Sequence, residues 1–333
     1  MRALLALLLL VLAPLATQAH PLAPALLDVH ETAPGRYDVL WRTSVLRAAG
    51  VDVAPRFPEG CTSGAASPVE VVEGSAVVTR WSLDCGASGL AGRTVTIDGL
   101  RRSGINALVR VAHADAPVAE ALLDAGAPAF TVPQGGAGGA VFVPYLRLGV
   151  EHLLTGVDHL LFVTGLVLLV RRPRAVAIAV TGFTLGHSVT LALAVLGLVH
   201  FDARLTEVGI ALTLLVLACE IARPRGEGPS ALGRHPLAMA CAFGLVHGLG
   251  FAGALSAIGL PPGAIGSALL AFNLGIELAQ LAVVAAWLAL AAVVARVSPV
   301  TSRPGLRALP AYSIGTLAAY FVLQRAAEVV GVT

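Results

Sequence analysis

Gly149-Val150-Glu151-His152-Leu153-Leu154-Thr155-Gly156-Val157-Asp158-His159-Leu160-Leu161-Phe162 places two histidines and two carboxylates at the opening of a long apolar segment. On a helix His152 and His159, seven residues apart, share nearly one face, and Glu151 and Asp158 form a second stripe beside them. Ionisable groups at membrane depth are expensive to keep, so they mark a functional site. Along an unbroken helix the two imidazoles stand about 10.5 Å apart, at ~1.5 Å per residue, whereas metal–nitrogen bonds are near ~2 Å. One ion reaches both only if the chain breaks, and Gly156 between them permits a break. Otherwise they are successive stations on a path. The helical spacing favours the path, with this stretch as its mouth and other helices completing the shell.

The sequence around this stretch is that of a membrane protein. Of the 333 residues 56% are hydrophobic and 13% charged, with a mean hydropathy of +0.82. The formal net charge of +2, with no basic cluster interleaved with aromatics, excludes nucleic acid as a partner. Six apolar spans are expected, at about 149–170, 175–199, 205–222, 236–258, 264–295 and 308–327. The fifth is long enough to tilt. Val141 to Leu148 should lie at the membrane surface, with Tyr145 and Arg147 as anchors. The first break between spans holds Arg171, Arg172 and Arg174, the third Arg223, Arg225 and Arg234, and the fifth Arg296, Arg303 and Arg307. The second has only Arg204, and the fourth, Gly259-Leu260-Pro261-Pro262-Gly263, has none. By the positive-inside rule the odd breaks are cytoplasmic, and both the N-terminal region and the C-terminus are outside.

The N-terminal third agrees with that orientation. Residues 1–19 read as a secretory signal peptide, with Arg2, an apolar run from Ala3 to Leu12 and a small-residue site at Thr17-Gln18-Ala19. Cleavage would leave His20 as the first residue, where its amine and imidazole together suit copper or nickel. Residues 20–132 alternate short runs with turn residues. The runs are Ala25–Glu31, Tyr37–Ser44, Val69–Val72, Ser75–Leu83, Thr94–Ile97 and Ala107–Ala112. They predict a small exported antiparallel β-sandwich. Cys61 and Cys85 form its expected disulfide, while Cys219 and Cys241 read as small buried hydrophobes. His30 and His113 are lone residues, and no catalytic set is present. A Gly-rich linker over 133–140 separates this domain from the membrane region, 141–333. The expected fold is thus an all-α polytopic bundle of about six transmembrane helices preceded by a small all-β sandwich-like domain.

Further polar residues punctuate the later spans. Thr184, His187 and Thr190 form a stripe in the second, with Ser188 beside it. His247 sits among Gly244, Gly248 and Gly250 in the fourth, where small residues allow close helix approach. Asn273, Glu277 and Gln280 share one face of the fifth. Glu207, Glu220, His200 and His235 fall near span ends and read as interfacial. Imidazole with carboxylate suits divalent first-row metals such as nickel, cobalt, zinc or iron; Met239 alone in the membrane half disfavours copper(I).

Taken in order, His152-x5-Asp158-His159, His187-Ser188, Phe243-Gly244-Leu245-x-His247-Gly248-x-Gly250-Phe251-Ala252 and Phe272-Asn273-x-Gly275-x-Glu277 resemble the HupE/UreJ family of hydrogenase and urease accessory membrane proteins. The likeness covers roughly residues 145–330 and is greatest to the branch with an extra exported domain. It implies nickel or cobalt permeation across the inner membrane in support of metalloenzyme maturation, with metal associated chiefly with the His-x5-Asp-His motif. Expected ligands are therefore His152, Asp158, His159, His187, His247 and Glu277, supported by Glu151, Asn273, Thr184, Ser188 and Gln280. The metal is cargo, nickel or cobalt ahead of zinc, and no permanently bound cofactor is expected. Its other partners are the lipid bilayer and a periplasmic protein that could dock on the exported domain. Ligand imidazoles must shed protons, so transport should weaken as pH falls through about 6.5. No GxxxxGK[ST] motif is present, which excludes an ATP-driven pump of that class. Two other readings compete. An intramembrane zinc hydrolase would gather its ligands around one retained ion, with Ser188 nearby. A non-transporting assembly protein would use the polar residues only for packing.

Overall fold

The computed structural model describes residues 25–44, 52–64, 69–73, 76–114, 117–134, 142–170, 172–223, 230, 234–258, 265–297 and 309–331. The leader over Met1–Ala19, His20, most of the 133–140 linker, Arg171, Arg225, Arg303, Arg307 and the 259–263 break lie outside the described residues.

Each of the six apolar runs of the N-terminal region becomes a strand. They are β1 (Ala25–Ala33), β2 (Arg36–Ser44), β5 (Val69–Glu73), β6 (Ala76–Asp84), β7 (Thr94–Asp98) and β8 (Ala107–Ala112). Four short strands, β3 (Ala54–Arg56), β4 (Thr62–Ser63), β9 (Ala119–Leu123) and β10 (Ala129–Thr131), and a one-turn helix α1 (Leu100–Ser103) complete the unit. A seven-stranded sheet runs β4-β6-β2-β1-β8-β9, with β5 also on β6, and a three-stranded sheet runs β10-β7-β3. Alternate residues of the large sheet, such as Leu27, Val29, Val39, Val109 and Val111, share one core with Val95 and Ile97 of the small one. The expectation of a purely antiparallel sandwich needs correction. β1 and β8 pair in parallel, Ala25 opposite Ala107 through His30 opposite Ala112. The chain leaves the large sheet for β7 in the small one and returns in β8, and such a crossover is what parallel neighbours require. Gly35 turns the chain between β1 and β2 at φ +73°, and a Cβ there would stand 1.9 Å from the Gly86 carbonyl oxygen. Cys61 and Cys85 are disulfide-bonded.

The helical unit begins with α2 (Phe142–Thr155) and α3 (Val157–Leu169), bent by 72° at Gly156. It continues with α4 (Pro173–Val195), α5 (Ala203–Ala222), α6 (Pro236–Ile258), α7 (Ile265–Val297) and α8 (Leu309–Val330). Asp202 caps α5, its Oδ1 accepting from the Arg204 and Leu205 amides, and Pro173 opens α4, where its missing N–H costs nothing. Among the described residues α4, α5 and α7 are long and apolar enough to cross a membrane, and the α2–α3 pair qualifies together as a fourth, broken span. The helices stand where six spans were expected, but in α6 the apolar stretch counted toward a crossing, Pro236–Phe251, is shorter than a span, and α8, which carries Arg325 and Glu328, is not among those that qualify. Cys219 is exposed and Cys241 half-buried, contrary to the expectation of buried thiols.

Glycines bring the helices together. A Cβ on Gly244 would meet the Phe183 carbonyl oxygen at 2.1 Å, one on Gly248 that of His187 at 2.3 Å, and one on Gly186 that of Cys241 at 2.2 Å. Cβ atoms do not approach that closely, so only glycine permits the α4–α6 contact. Later residues of α6 meet later residues of α4, so the two run parallel. Thr181 and Glu277, with His187 and Asn273, make α4 and α7 antiparallel. Thr213 with His247, and Gly250 against Ile210, make α5 and α6 antiparallel. Gly165 lies on Leu217 and Ile221, while Asp158 and Glu207 share Arg325, so α3 is parallel to α5. Gly315 beside Ala218 and Arg325 beside Glu207 make α8 antiparallel to α5. Hence α3, α5 and α7 point one way, and α4, α6 and α8 the other.

Candidate metal centre

The break at Gly156 makes the centre. Gly156 leaves helical geometry at φ −75° and ψ 99°, and α3 restarts on it as N-cap. Any residue can adopt these angles. Space is what demands glycine, because a Cβ would lie 2.8 Å from the His152 carbonyl oxygen and 3.3 Å from His159 Nδ1. The bend folds His159 back against His152, with ring centroids 4.7 Å apart. The picture of two stations on one straight helix is thereby corrected: the two imidazoles converge. α4 adds His187, and ligand nitrogens of His152, His159 and His187 lie within 4.8 Å of one another. Two nitrogens on one ion stand at most about 4.2 Å apart, so a small side-chain rotation closes the set. His247, on α6, is 5.1 Å from His159 between centroids. All four histidines are buried.

The neighbours fix which nitrogen is free. Asn273 Nδ2 donates to the Leu269 carbonyl, so its Oδ1 faces His187 Nδ1 at 3.2 Å and accepts the ring proton. Nε2 of His187 is then an unpaired, lone-pair-bearing nitrogen. Thr213 donates its hydroxyl to Ile210 O at 2.6 Å, so it accepts from His247 Nε2 at 3.1 Å and leaves Nδ1 of His247 free. Nε2 of His152 and of His159 are likewise buried without a partner. Four buried imidazole nitrogens without a partner carry a desolvation cost that a divalent cation would relieve.

The expected carboxylates lie elsewhere. Asp158 accepts from Arg325 Nη2 at 2.7 Å, and the same guanidinium reaches Glu207 Oε2 at 3.3 Å and the Glu207 carbonyl. Glu277 takes hydroxyl hydrogen bonds from Thr181 at 2.6 Å and from Thr184, whose oxygen also lies 2.9 Å from Gln280 Oε1. Glu151 accepts from Arg147 one turn earlier. Ser188 donates to the Thr184 carbonyl of its own helix at 2.6 Å, and Thr190 bonds back to Gly186 in the same way. Tyr145, expected at the membrane surface, is buried, because it shares the face of Leu148, Gly149 and His152 that turns into the bundle. In the β unit His113 bonds Glu31 at 3.0 Å and His30 lies 3.2 Å from Asp28.

Two partners of the centre escaped the sequence reading. Thr213 carries no signal beyond being a hydroxyl in an apolar helix. Arg325 does carry one, since a lone guanidinium in a last apolar segment needs an anionic partner. Glu207, read as interfacial, turns out to be part of that partner.

No curated protein and no solved structure matches the chain. The model of the family described as HupE / UreJ protein matches residues 129–325, which spans the bent helix pair, all four histidines, Asn273 and Arg325. With apolar helices of membrane-spanning length and this match over more than half its length, the chain is a membrane protein that belongs to the HupE/UreJ family.

Proposed function

We propose that the helical unit carries a divalent transition metal, nickel or cobalt, across the bacterial inner membrane through the four-histidine centre, in support of metalloenzyme maturation. In this reading the β unit is periplasmic. The observation that carries it is the convergence of bare imidazole nitrogens from α2, α3 and α4 at the break in the first span, with the ring of His247 from α6 against that of His159. Transporters commonly bind cargo at such a place, where helix breaks meet near the midplane. His152, His159 and His187 are the primary ligands and His247 the fourth. Asn273 and Thr213 hold two of the rings by their other nitrogens. Asp158 acts through Arg325, tying α3 to α5 and α8. Glu277, with Thr181, Thr184 and Gln280, is a polar contact between α4 and α7 beside the centre.

Gathering the ligands around one point also suits a resident zinc ion in a hydrolase. Against that, Ser188 donates within its own helix and so is not offered as nucleophile; Asp158 is paired with Arg325 through Oδ2, while its buried Oδ1 is without a partner. Uptake of radioactive nickel and cobalt separates the two. Cells expressing the wild type should accumulate metal above the empty-vector level, and His159→Ala should return them to it. Wild-type uptake equal to the vector, with stoichiometric zinc in the purified protein, would discard the permease in favour of the hydrolase.

A further inference from the structure

The glycine contacts occur twice. Gly149 on α2 faces the Phe272 carbonyl and Ile276 amide, and Gly275 on α7 faces the Leu146 carbonyl and Val150 amide. Gly244 on α6 faces the Phe183 carbonyl and His187 amide, and Gly186 on α4 faces the Cys241 carbonyl and Leu245 amide. Position for position the two sets coincide, with Gly149 matching Gly244, Phe272 matching Phe183, and Gly275 matching Gly186. The distances agree closely, at 2.0 and 2.1 Å in one pair and 2.1 and 2.2 Å in the other. The sequence carries the same echo. Gly149-x-x-His152 recurs as Gly244-x-x-His247, and Phe183-Thr184-Leu185-Gly186 as Phe272-Asn273-Leu274-Gly275. The polar residue within that second motif is placed alike, Thr184 Oγ1 and Asn273 Nδ2 each lying within hydrogen-bond distance of the carbonyl four residues back. In each pair the first element of one half packs on the second element of the other half. The third elements, α5 and α8, pack antiparallel on each other.

Each half also contributes one phenylalanine stack, although in the glycine register Phe251 answers to Gly156 and not to Phe162. Phe162 and Phe183, both from the first half, stack with centroids 4.5 Å apart, and Phe183 lies 5.1 Å from His247 of the second half. Phe251 and Phe272, both from the second half, stack at 4.8 Å, and they lie 4.2 and 5.5 Å from His152 of the first half. The stacks sit at opposite ends of the centre. Phe183 precedes His187 by one turn on α4, and Phe251 follows His247 by one turn on the parallel α6, each about 6 Å along the axis. Phe162 follows His159 on α3, which points the other way, and so falls at the Phe183 end.

We propose that the helical unit is a pair of inverted three-element repeats, α2/α3–α4–α5 and α6–α7–α8, and that the Phe251–Phe272 and Phe162–Phe183 stacks are the outer and inner gates of the histidine centre. Three crossings per repeat set the second half into the membrane upside down relative to the first, which is why the equivalent helices α4 and α7 run antiparallel. The assignment of outer and inner follows the arginine-rich breaks, and the word gate rests on the transport reading above. Neither stack supplies a ligand atom. Each covers one end of the histidine centre with an apolar ring contact that a side-chain rotation can part.

The test needs no metal. Thr213→Cys, in a chain carrying Cys219→Ser and Cys241→Ser, places one thiol beside His247. Its reaction with a cationic, membrane-impermeant methanethiosulfonate is timed from outside in spheroplasts and from inside in inverted vesicles. Phe251→Ala should speed labelling from outside about tenfold and leave the inside rate unchanged, and Phe162→Ala should do the reverse. Phe251→Leu and Phe162→Leu, which keep bulk but lose the stack, give the same asymmetry if the alanine variants fail to reach the membrane. Rates that rise equally from both faces, or in neither variant, overturn the gates. Gln134→Cys and Arg234→Cys, just before the two repeats, should label from opposite faces, and labelling from one face overturns the inversion. Nickel titration of the purified wild type is the separate test of cargo. Face-selective labelling without nickel binding would refute the metal and keep the gates, and binding with face-independent labelling would do the opposite.

Discussion

His187 can offer Nε2 to a metal because Asn273 already holds its other nitrogen. Asn273→Ala removes that acceptor and frees the ring to turn. It should weaken nickel or cobalt binding about 10- to 100-fold by titration calorimetry, while Thr190→Ala on the same helix should have no effect. A different residue-scale argument applies to Arg325, whose side chain is 4% exposed and which holds Asp158 and Glu207 together. Arg325→Met leaves two carboxylates facing an apolar bundle and should cost about 3–5 kcal/mol in thermal unfolding. Adding Asp158→Asn should recover part of that loss, and a double variant no better than the single would refute the pairing. In the β unit, burial raises the Glu31 carboxyl, but bonds from His113 and from the Gly35 and Ala114 amides outweigh it and hold the group below its ordinary 4.5. Its stabilisation is therefore complete above 4.5 and lost as pH falls through the lower folded value. Glu31→Gln should flatten the acid limb of the unfolding profile, at a cost under about 1 kcal/mol at neutral pH.

At the scale of elements, the α2–α3 bend and the glycine crossings are the critical features. Gly156→Ala sets a Cβ 2.8 Å from the His152 carbonyl, so the bend must open and carry His159 away from His152. Metal binding should fall while both helices persist, seen as lost affinity with unchanged far-UV circular dichroism. Gly244→Ala must part α4 from α6 by roughly 1 Å, since an alanine Cβ would stand 2.1 Å from the Phe183 carbonyl oxygen, where real Cβ contacts do not come under 3.0 Å. In the β unit the Cys61–Cys85 bond closes a loop across 24 residues. Replacing both with serine should lower that unit's stability by about 3 kcal/mol, measured by protease sensitivity of the full chain.

At the scale of the whole molecule, a ligand that binds only the folded helical unit stabilises that unit alone. Nickel at a hundredfold above its Kd should add about 2.7 kcal/mol to the unfolding of the helical unit, and His159→Ala should abolish the gain. Strand and helix positions were legible in the sequence because they depend on local pattern. Alternation marked β1, β2 and β6, and apolar length marked α4, α5 and α7. The identity of the polar residues was legible too, since His152, His159, His187 and His247 stand out in apolar surroundings. Spacing along one helix could not say which of them meet. Only the tertiary structure decided that, because a bend of 72° at one glycine turns an axial separation into contact. It also decided that Asp158 serves Arg325, since an ion pair between residues 167 positions apart leaves no local trace in the chain. Sequence by itself determined what must be buried and in which kind of element. Which nitrogens end up bare and facing one another was settled by close packing of the helices, a property of pairs of surfaces that no single stretch contains.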